Sequence, residues 1–154
     1  MRMTITVLAV GRLRPALRDV CEDYLGRLQR FADVVEREVR EAPGSQSPAE
    51  QRRTEGKRLL AAAPDPSRLI ALDREGVSWS SVAFATQLDR WRAGAKPLAL
   101  VIGGSLGLDQ AVLARADYRW SLGPLTFTHE LARVIALEQL FRAGTILRGE
   151  RYHK

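Results

Sequence analysis

The chain contains three short apolar runs, and each ends at a glycine or at a charged segment. They are TITVLAV (4–10), RLIALD (68–73) and LALVI (98–102). Runs of this length that are rich in β-branched and aliphatic residues are typical of buried strands. Two weaker segments, the alternating DVVEREVRE (33–41) and the short YRWSL (118–122), predict an edge strand and a further short strand.

Helical spacing of apolar residues fills most of the segments between these strands. One face of the first helix, which is predicted to begin at Pro15, carries Leu17, Val20, Cys21, Tyr24, Leu25, Leu28 and Phe31. Ser47, Pro48 and Glu50 form a capping box that opens a second helix, which runs to about Ala63.

Three further helices are predicted nearer the end of the chain. One runs from about Ser80 to Arg92, after a turn at REG (74–76), and a short one follows Asp109 as its N-cap. The last begins near Thr128 and runs through LARVIALEQLFRA, and His129 at its start is expected to make a structural hydrogen bond. Strands that alternate with helices predict an α/β fold with a mostly parallel sheet flanked by helices.

The length and composition of the chain favour a single-domain globular protein. A chain of 154 residues with 45% hydrophobic content predicts a single domain over residues 1–154. Its only cysteine, Cys21, lies on an apolar helix stripe and is expected to be a packed thiol. We expect no disulfide, no metal site, no secretion signal and no membrane helix, hence a soluble cytoplasmic protein.

The charge of the chain points to a polyanionic partner. The formal net charge is +6, and arginine supplies 21 of the 24 basic residues. Arginine binds phosphate oxygens and stacks on bases better than lysine does. A basic surface also serves solubility, and that alternative stays open on charge alone.

Loops at the carboxyl ends of the predicted strands are the expected place for a ligand. Leu72 ends one strand, and the glycines of GGSLG follow the next. The segment LGPLTF (122–127) adds apolar side chains around a glycine and a proline. Bare backbone between apolar walls suits the edge and faces of an adenine.

Features of phosphate-binding loops are missing from these segments. GGSLG matches neither G-x-G-x-x-G nor the P-loop pattern, and no lysine stands beside it. This argues against a nucleotide with phosphates and favours an adenine cofactor without them, such as S-adenosylmethionine. A purely structural turn after a core strand is the alternative interpretation of the glycines.

Five motifs cover nearly the whole chain in order. They are ITVLAVGRL, LIALDREG, LVIGGSLGL, WSLGPLTFTHELARVIALEQLFRA and the closing YHK. The sequence resembles the SPOUT methyltransferases that methylate N3 of a pseudouridine in the large ribosomal RNA. The resemblance implies a SPOUT-type α/β fold with a C-terminal trefoil knot and a homodimer. It also implies S-adenosylmethionine as cofactor and 23S rRNA of the assembled ribosome as target, with no role for DNA or membranes.

The resemblance also assigns residues. It implies that the cofactor is held by Leu72, Gly103, Gly104, Leu122, Gly123, Pro124, Leu125, Thr126 and Phe127. The family's basic tail corresponds to RGERYHK (148–154), in which Arg148 and Lys154 are expected to contact RNA. Tyr152 and His153 are the candidates for engaging the target nucleotide. A general base or a water path must remove the N3 proton; His153 is the best-placed titratable group for this, and ordinary positioning is its alternative role. Arg142 is expected to stabilise charge on the base or to hold a phosphate.

Three residues depart from the family pattern near the end of the chain. Gly144 replaces an aromatic residue, Phe141 a tyrosine and Arg151 a proline, and all three bear on the tail and the dimer packing. A SPOUT enzyme for another RNA, a non-catalytic ribosome-binding factor and a phosphate-binding nucleotide enzyme are the alternatives.

Overall fold

Residues 2–154 are described by a computed structural model, in which strands and helices alternate along the chain. The five strands are β1 (Met3–Val10), β2 (Ala32–Val39), β3 (Arg68–Val77), β4 (Leu98–Ile102) and β5 (Tyr118–Trp120). The five helices are α1 (Pro15–Leu28), α2 (Pro48–Ala62), α3 (Ser81–Ala93), α4 (Gln110–Arg115) and α5 (His129–Leu147). The strands form one sheet in the order β2-β1-β4-β3-β5, with every neighbouring pair parallel. The α/β prediction is confirmed.

Helices cover both faces of this sheet because its central strands carry apolar side chains on both faces. On one face α1, α3 and α5 pack over Val7, Leu100 and their neighbours, and on the other α2 and α4 pack over Leu8 and Val101. Cys21 is fully buried in the first of these layers. Burial raises the pKa of its thiol to about 11, so the group stays protonated at neutral pH, as a packed thiol does.

Side-chain caps start four helices where the sequence places them. The Ser47 hydroxyl accepts a hydrogen bond from the Glu50 amide at 3.2 Å. Ser80, Asp109 and Thr128 accept equivalent bonds from backbone amides of α3, α4 and α5. These bonds satisfy amides that have no partner inside the helix.

The predicted turn at REG (74–76) is wrong, because β3 continues through it to Val77. The register of β3 against β5 shifts between Leu72 and Val77, and both residues pair with Trp120. Strand β5 is correspondingly shorter than YRWSL and ends at Trp120. Phe31 lies beyond the end of α1, although its ring packs on the helical core layer.

Helix α5 runs from the carboxyl ends of the strands to their amino ends. Its first turn lies beside Leu72 and Gly104 at the carboxyl edge, and its last turns reach Met3 at the amino edge. Within residues 2–154, no helix is long and apolar enough to span a membrane.

Candidate functional site

Residues 72–74 of β3 meet the loops after β4 and β5 in a cleft of about 370 Å³ at the carboxyl edge of the sheet. A second depression of about 580 Å³ adjoins it and reaches the start of α5. Of the predicted cofactor residues, those that line one or both hollows are Leu72, Gly103, Gly104, Leu122, Gly123, Leu125, Thr126 and Phe127. Pro124 lies in the same loop but lines neither hollow.

Backbone-to-backbone contact shapes the glycine loop. Gly104 and Gly107 form an isolated bridge, in which the Gly107 amide donates to the Gly104 carbonyl at 3.1 Å. A Cβ on Gly103 would lie 2.8 Å from the carbonyl carbon and oxygen of Gly107. Gly107 itself has a φ of +83°, which side chains rarely adopt. The loop therefore requires glycine, and the space kept free of side chains opens into the cleft.

The opposite wall of the cleft is held by short polar contacts. The Gly123 amide donates to the Ser121 hydroxyl at 3.1 Å, which folds the start of the 122–127 loop. Arg74 donates to the Thr126 hydroxyl at 2.6 Å and so joins β3 to the loop after β5. Leu125 at the tip is 71% exposed, which leaves an apolar side chain at the mouth of the cleft.

Asp73 is a cleft residue that the sequence reasoning missed. Its Oδ2 is buried and has no hydrogen-bond partner within residues 2–154. Arg119 is its ion-pair partner at 3.8 Å, too long for a hydrogen bond. A buried acceptor without a donor is costly unless a ligand supplies one. The signal was available, since Asp73 directly follows Leu72 at the end of the apolar strand.

This cleft fits an adenine cofactor that carries positive charge. Leu72, Leu122 and Phe127 offer apolar walls, and the glycine loop offers backbone amides and carbonyls. The Asp73 carboxylate supplies a negatively charged hydrogen-bond acceptor. The volume of the cleft lies in the range of small-molecule sites.

The predicted catalytic residues lie together, but away from the cleft. Arg142 forms an ion pair with Glu138 at 2.6 Å, as their spacing of four residues predicts. The Arg142 guanidinium also covers the Tyr152 ring, 4.7 Å from its centre. Along α5, Arg142 is about 20 Å from His129 at the cleft.

Tyr152 is anchored by both its ring and its hydroxyl. The ring packs edge-on against Phe141, with 4.9 Å between the centres, and the hydroxyl donates to Glu138 at 3.1 Å. Burial above all, then the neighbouring Tyr24 hydroxyl and Glu138 carboxylate, raise the pKa of Tyr152 to about 12. The phenol is therefore a hydrogen-bond donor at neutral pH and not a base.

His153 is bound by Arg142, whose Nη1 lies 3.2 Å from His153 Nδ1. A guanidinium only donates, so Nδ1 accepts and the neutral ring carries its proton on Nε2. In this arrangement His153 has no free lone pair. A role as proton acceptor requires the Arg142 contact to break.

Arg148 and Lys154, the two predicted RNA contacts, and His129 all lie outside the Arg142–Tyr152–His153 group. Arg148 stacks over Phe31 at 4.6 Å and donates to the Arg30 carbonyl at 2.6 Å, while Lys154 is exposed. The expected hydrogen bond of His129 is wrong: Thr128 provides the cap, and His129 lines the hollow with no side-chain hydrogen bond to residues 2–154.

Beneath the start of α5 lies a buried ion-pair cluster that the sequence did not reveal. Arg133 is fully buried and donates to Glu36 at 3.1 Å and Glu38 at 2.6 Å, both on β2. It also donates to the Gly11 carbonyl at 3.1 Å. Because Ala132 lines the cleft, the cluster fixes the cleft wall to the sheet edge.

A parallel, helix-covered sheet with a glycine-lined cleft at its carboxyl edge defines an α/β protein with a cleft of small-molecule size between its loops. Comparison with known proteins gives the family. The chain belongs to the SPOUT methyltransferases, since the model described as "Predicted SPOUT methyltransferase" matches residues 3–153.

Relatives match over almost their full length. A protein of Anaeromyxobacter sp. (strain Fw109-5) is 47% identical over 153 residues, which cover 99% of this chain and 100% of the relative. One of Rubrobacter xylanophilus is 48% identical over 152 residues, 96% of each chain. Both are named "Ribosomal RNA large subunit methyltransferase H".

Solved structures share the fold at low sequence identity. A probable methylase family protein from Haemophilus influenzae Rd KW20 has a TM-score of 0.56 and 12% identity, covering 97% of this chain and 70% of its own. A probable methyltransferase from Bordetella pertussis Tohama I also has 0.56, at 15% identity, covering 92% and 96%.

Proposed function

We propose that this chain is an S-adenosylmethionine-dependent rRNA methyltransferase that methylates N3 of a pseudouridine in 23S rRNA on the assembled ribosome. The observation that carries the proposal is the end-to-end match, at 47% and 48% identity, to proteins named as methyltransferases of large-subunit ribosomal RNA. The cleft supports it, because its residues suit an adenine cofactor without phosphates.

The predicted loop residues would bind the cofactor, together with Asp73. Leu72, Leu122 and Phe127 would enclose the adenine, and the glycine loop would meet its polar edge. Bound S-adenosylmethionine supplies an electrophilic methyl group on a sulfonium. Asp73 Oδ2, which accepts no hydrogen bond from residues 2–154 and pairs with Arg119 only at 3.8 Å, suits this cation or a hydroxyl of its ribose.

Methylation at N3 requires that the nitrogen lose its proton. Tyr152 positions the target as a donor once its hydroxyl leaves Glu138, or by stacking once Arg142 leaves its ring. His153 accepts the proton only after release from Arg142, and a water path is the other route. Arg142, once released, stabilises negative charge on the ring.

These roles need the tail and a cleft to approach one another. Within one chain they lie about 20 Å apart along α5. A homodimer in which the tail of one subunit meets the cleft of its partner solves this problem. Exposed apolar side chains on α1 and α5, Val20 and Leu131, each 39% exposed, support such a contact.

The test is transfer of labelled methyl groups to ribosomes that lack the modification. Free 23S rRNA, isolated large subunits and assembled ribosomes are compared side by side. Label on assembled ribosomes, mapped to N3 of a pseudouridine, is the expected result. Label mainly on free RNA favours another target, and no label with retained ribosome binding favours a non-catalytic binding factor.

A thermal-shift scan separates the classes by ligand. Stabilisation by S-adenosylmethionine or its demethylated product is expected. Stabilisation by nucleoside triphosphates instead would favour the phosphate-binding alternative.

A further inference from the structure

One group of basic side chains is joined by hydrogen bonds to the backbone and by a shared groove beside β2 and α2. Many arginines on α1, β5 and α5 form ion pairs, for example Arg18, Arg119 and Arg142. The group along β2 and α2 forms no salt bridge to any residue from 2 to 154. We call it the α2 basic face, and it comprises Arg12, Arg37, Arg40, Arg53, Lys57 and Arg58.

Hydrogen bonds to the backbone hold this face together. Arg58 donates to the carbonyls of Arg40 and Glu41, at 2.9 and 3.0 Å, and so joins α2 to the end of β2. Arg37 donates to the Ala62 carbonyl at 3.1 Å. Each of these bonds leaves the rest of the guanidinium free.

The remaining members extend the face in both directions. Arg12 and Arg40 line one groove beyond Gly11. Arg53 and Lys57 are exposed and lie one turn apart on α2.

Acidic groups nearby are mostly engaged elsewhere. Glu38 binds Arg18 and Arg133, Glu50 accepts from the Ser47 hydroxyl, and Glu55 is buried. Glu41 is the exposed carboxylate within the face. The local charge is therefore strongly positive.

The face begins next to the cleft. Glu55 of α2 accepts from the Ala42 amide at 3.0 Å, two residues after Arg40. A Cβ on Gly104 would lie 3.2 Å from both Glu55 and Val10. The glycine loop thus rests directly on the helix that carries the basic face.

We infer that the α2 basic face binds phosphates of the rRNA that flanks the target nucleotide. This inference rests on the proposed function. Six cations without acidic partners match a polyanion, and arginine forks suit phosphate oxygens. A protein partner is less well matched, because residues 32–78 contain no aromatic side chain to anchor an interface.

The experiment compares R53Q/K57Q with R90Q/K96Q. Each variant removes one arginine and one lysine charge from exposed side chains that form no salt bridge to residues 2–154. Neither pair contacts the cleft or the tail. Binding to unmodified ribosomes is measured over a range of salt concentrations, and methyl transfer and S-adenosylmethionine affinity are measured in parallel.

R53Q/K57Q should bind ribosomes about tenfold more weakly at moderate salt, with a salt slope lower by about one to two. R90Q/K96Q should match the wild type, and both variants should keep its cofactor affinity. Equal binding by all three proteins, or equal weakening by both variants, overturns the inference. Weaker binding of R53Q/K57Q with an unchanged salt slope overturns it too, and favours a protein contact.

Failure of the proposed function would look different. The wild-type protein would then transfer no methyl group to any rRNA, while the binding comparison would still decide whether the face contacts phosphates.

Discussion

Gly103 sets how closely the two arms of the glycine loop approach, and its replacement tests the cleft. In Gly103→Ala the new Cβ would meet backbone atoms of Gly107 at 2.8 Å, so the loop must shift. We expect S-adenosylmethionine affinity to fall at least about tenfold, or ~1.4 kcal/mol. Titration calorimetry measures this directly.

The matched control is Gly44→Ala, because a Cβ at that position has no atom within 4 Å. It should bind the cofactor as the wild type does. Unchanged affinity in Gly103→Ala would show that the loop does not form the cofactor site.

Tyr152 gives a prediction about pH. Its pKa is raised from 10.0 to about 12, so the folded state prefers the protonated phenol. The stabilisation is fully present below pH 10 and is lost as the pH rises through 12. In thermal unfolding, the midpoint of the wild type should fall more steeply above pH 10 than that of Tyr152→Phe.

Tyr118→Phe is the control for this experiment, since Tyr118 is 37% exposed and lies on β5, outside the tail cluster. Its midpoint should follow the wild-type curve. Parallel curves for the wild type and Tyr152→Phe would contradict the assigned environment of the phenol.

Single residues differ in how far sequence reveals them. The glycine loop was predictable, because adjacent glycines directly after an apolar strand indicate a tight turn or a close backbone approach. Asp73 and Arg133 were not singled out, since a charged residue in a sequence says nothing of its burial until the fold places it. Gly144 illustrates compensation: a Cβ there would lie 2.5 Å from Phe31, whose ring fills the space beside the helix.

At the scale of elements, the Arg133 cluster joins α5 to β2 and so supports the cleft. Arg133→Met removes the buried partner of Glu36 and Glu38 and leaves them only Arg18, whose side chain is 26% exposed. We expect the free energy of unfolding to fall by about 3 kcal/mol. Chemical denaturation measures the change.

The comparison variant is Arg92→Met, which breaks the exposed pair with Asp89 on α3. It should cost less than about 1 kcal/mol. A similar small loss for Arg133→Met would mean that the cluster contributes little to anchoring α5.

Most elements were predictable because local signals agree with the fold. Caps at Ser47, Ser80, Asp109 and Thr128 mark the helix starts, and apolar runs mark the central strands. The end of β3 was missed because Arg74, Glu75 and Gly76 have the composition of a turn. Val77 pairs with Trp120 beyond an irregularity in the register, a contact that only the assembled sheet provides.

At the scale of the whole molecule, the separation between tail and cleft allows a complementation test of the proposed dimer. Deletion of residues 152–154 should abolish methyl transfer and leave cofactor binding nearly unchanged. Gly103→Ala should lack activity for the opposite reason when the assay holds S-adenosylmethionine well below the weakened Kd of this variant. When the two variants are mixed in equal amounts and exchange subunits at random, about half of the dimers contain one copy of each. Each mixed dimer has one intact cleft facing one intact tail, so the mixture should show about a quarter of the wild-type rate.

Each variant alone serves as the control, together with its thermal midpoint to show that it is folded. No recovery on mixing would contradict a site shared between subunits. Loss of cofactor binding on deletion would instead place the tail in the cofactor site or the fold. The trefoil knot and the homodimer stay predictions of the family resemblance.

Finally, the order of strands has a consequence for how the chain is made. The centre of the sheet pairs β1 with β4, and Ile5 lies opposite Leu98. A nascent chain emerges from its amino end, so β1 has only β2 as a neighbour until well over half of the chain has been synthesised. Such distant pairing slows folding, and the last turns of α5 must then pack beside Met3 at the very beginning. The protein therefore completes its core only after α5 has been synthesised.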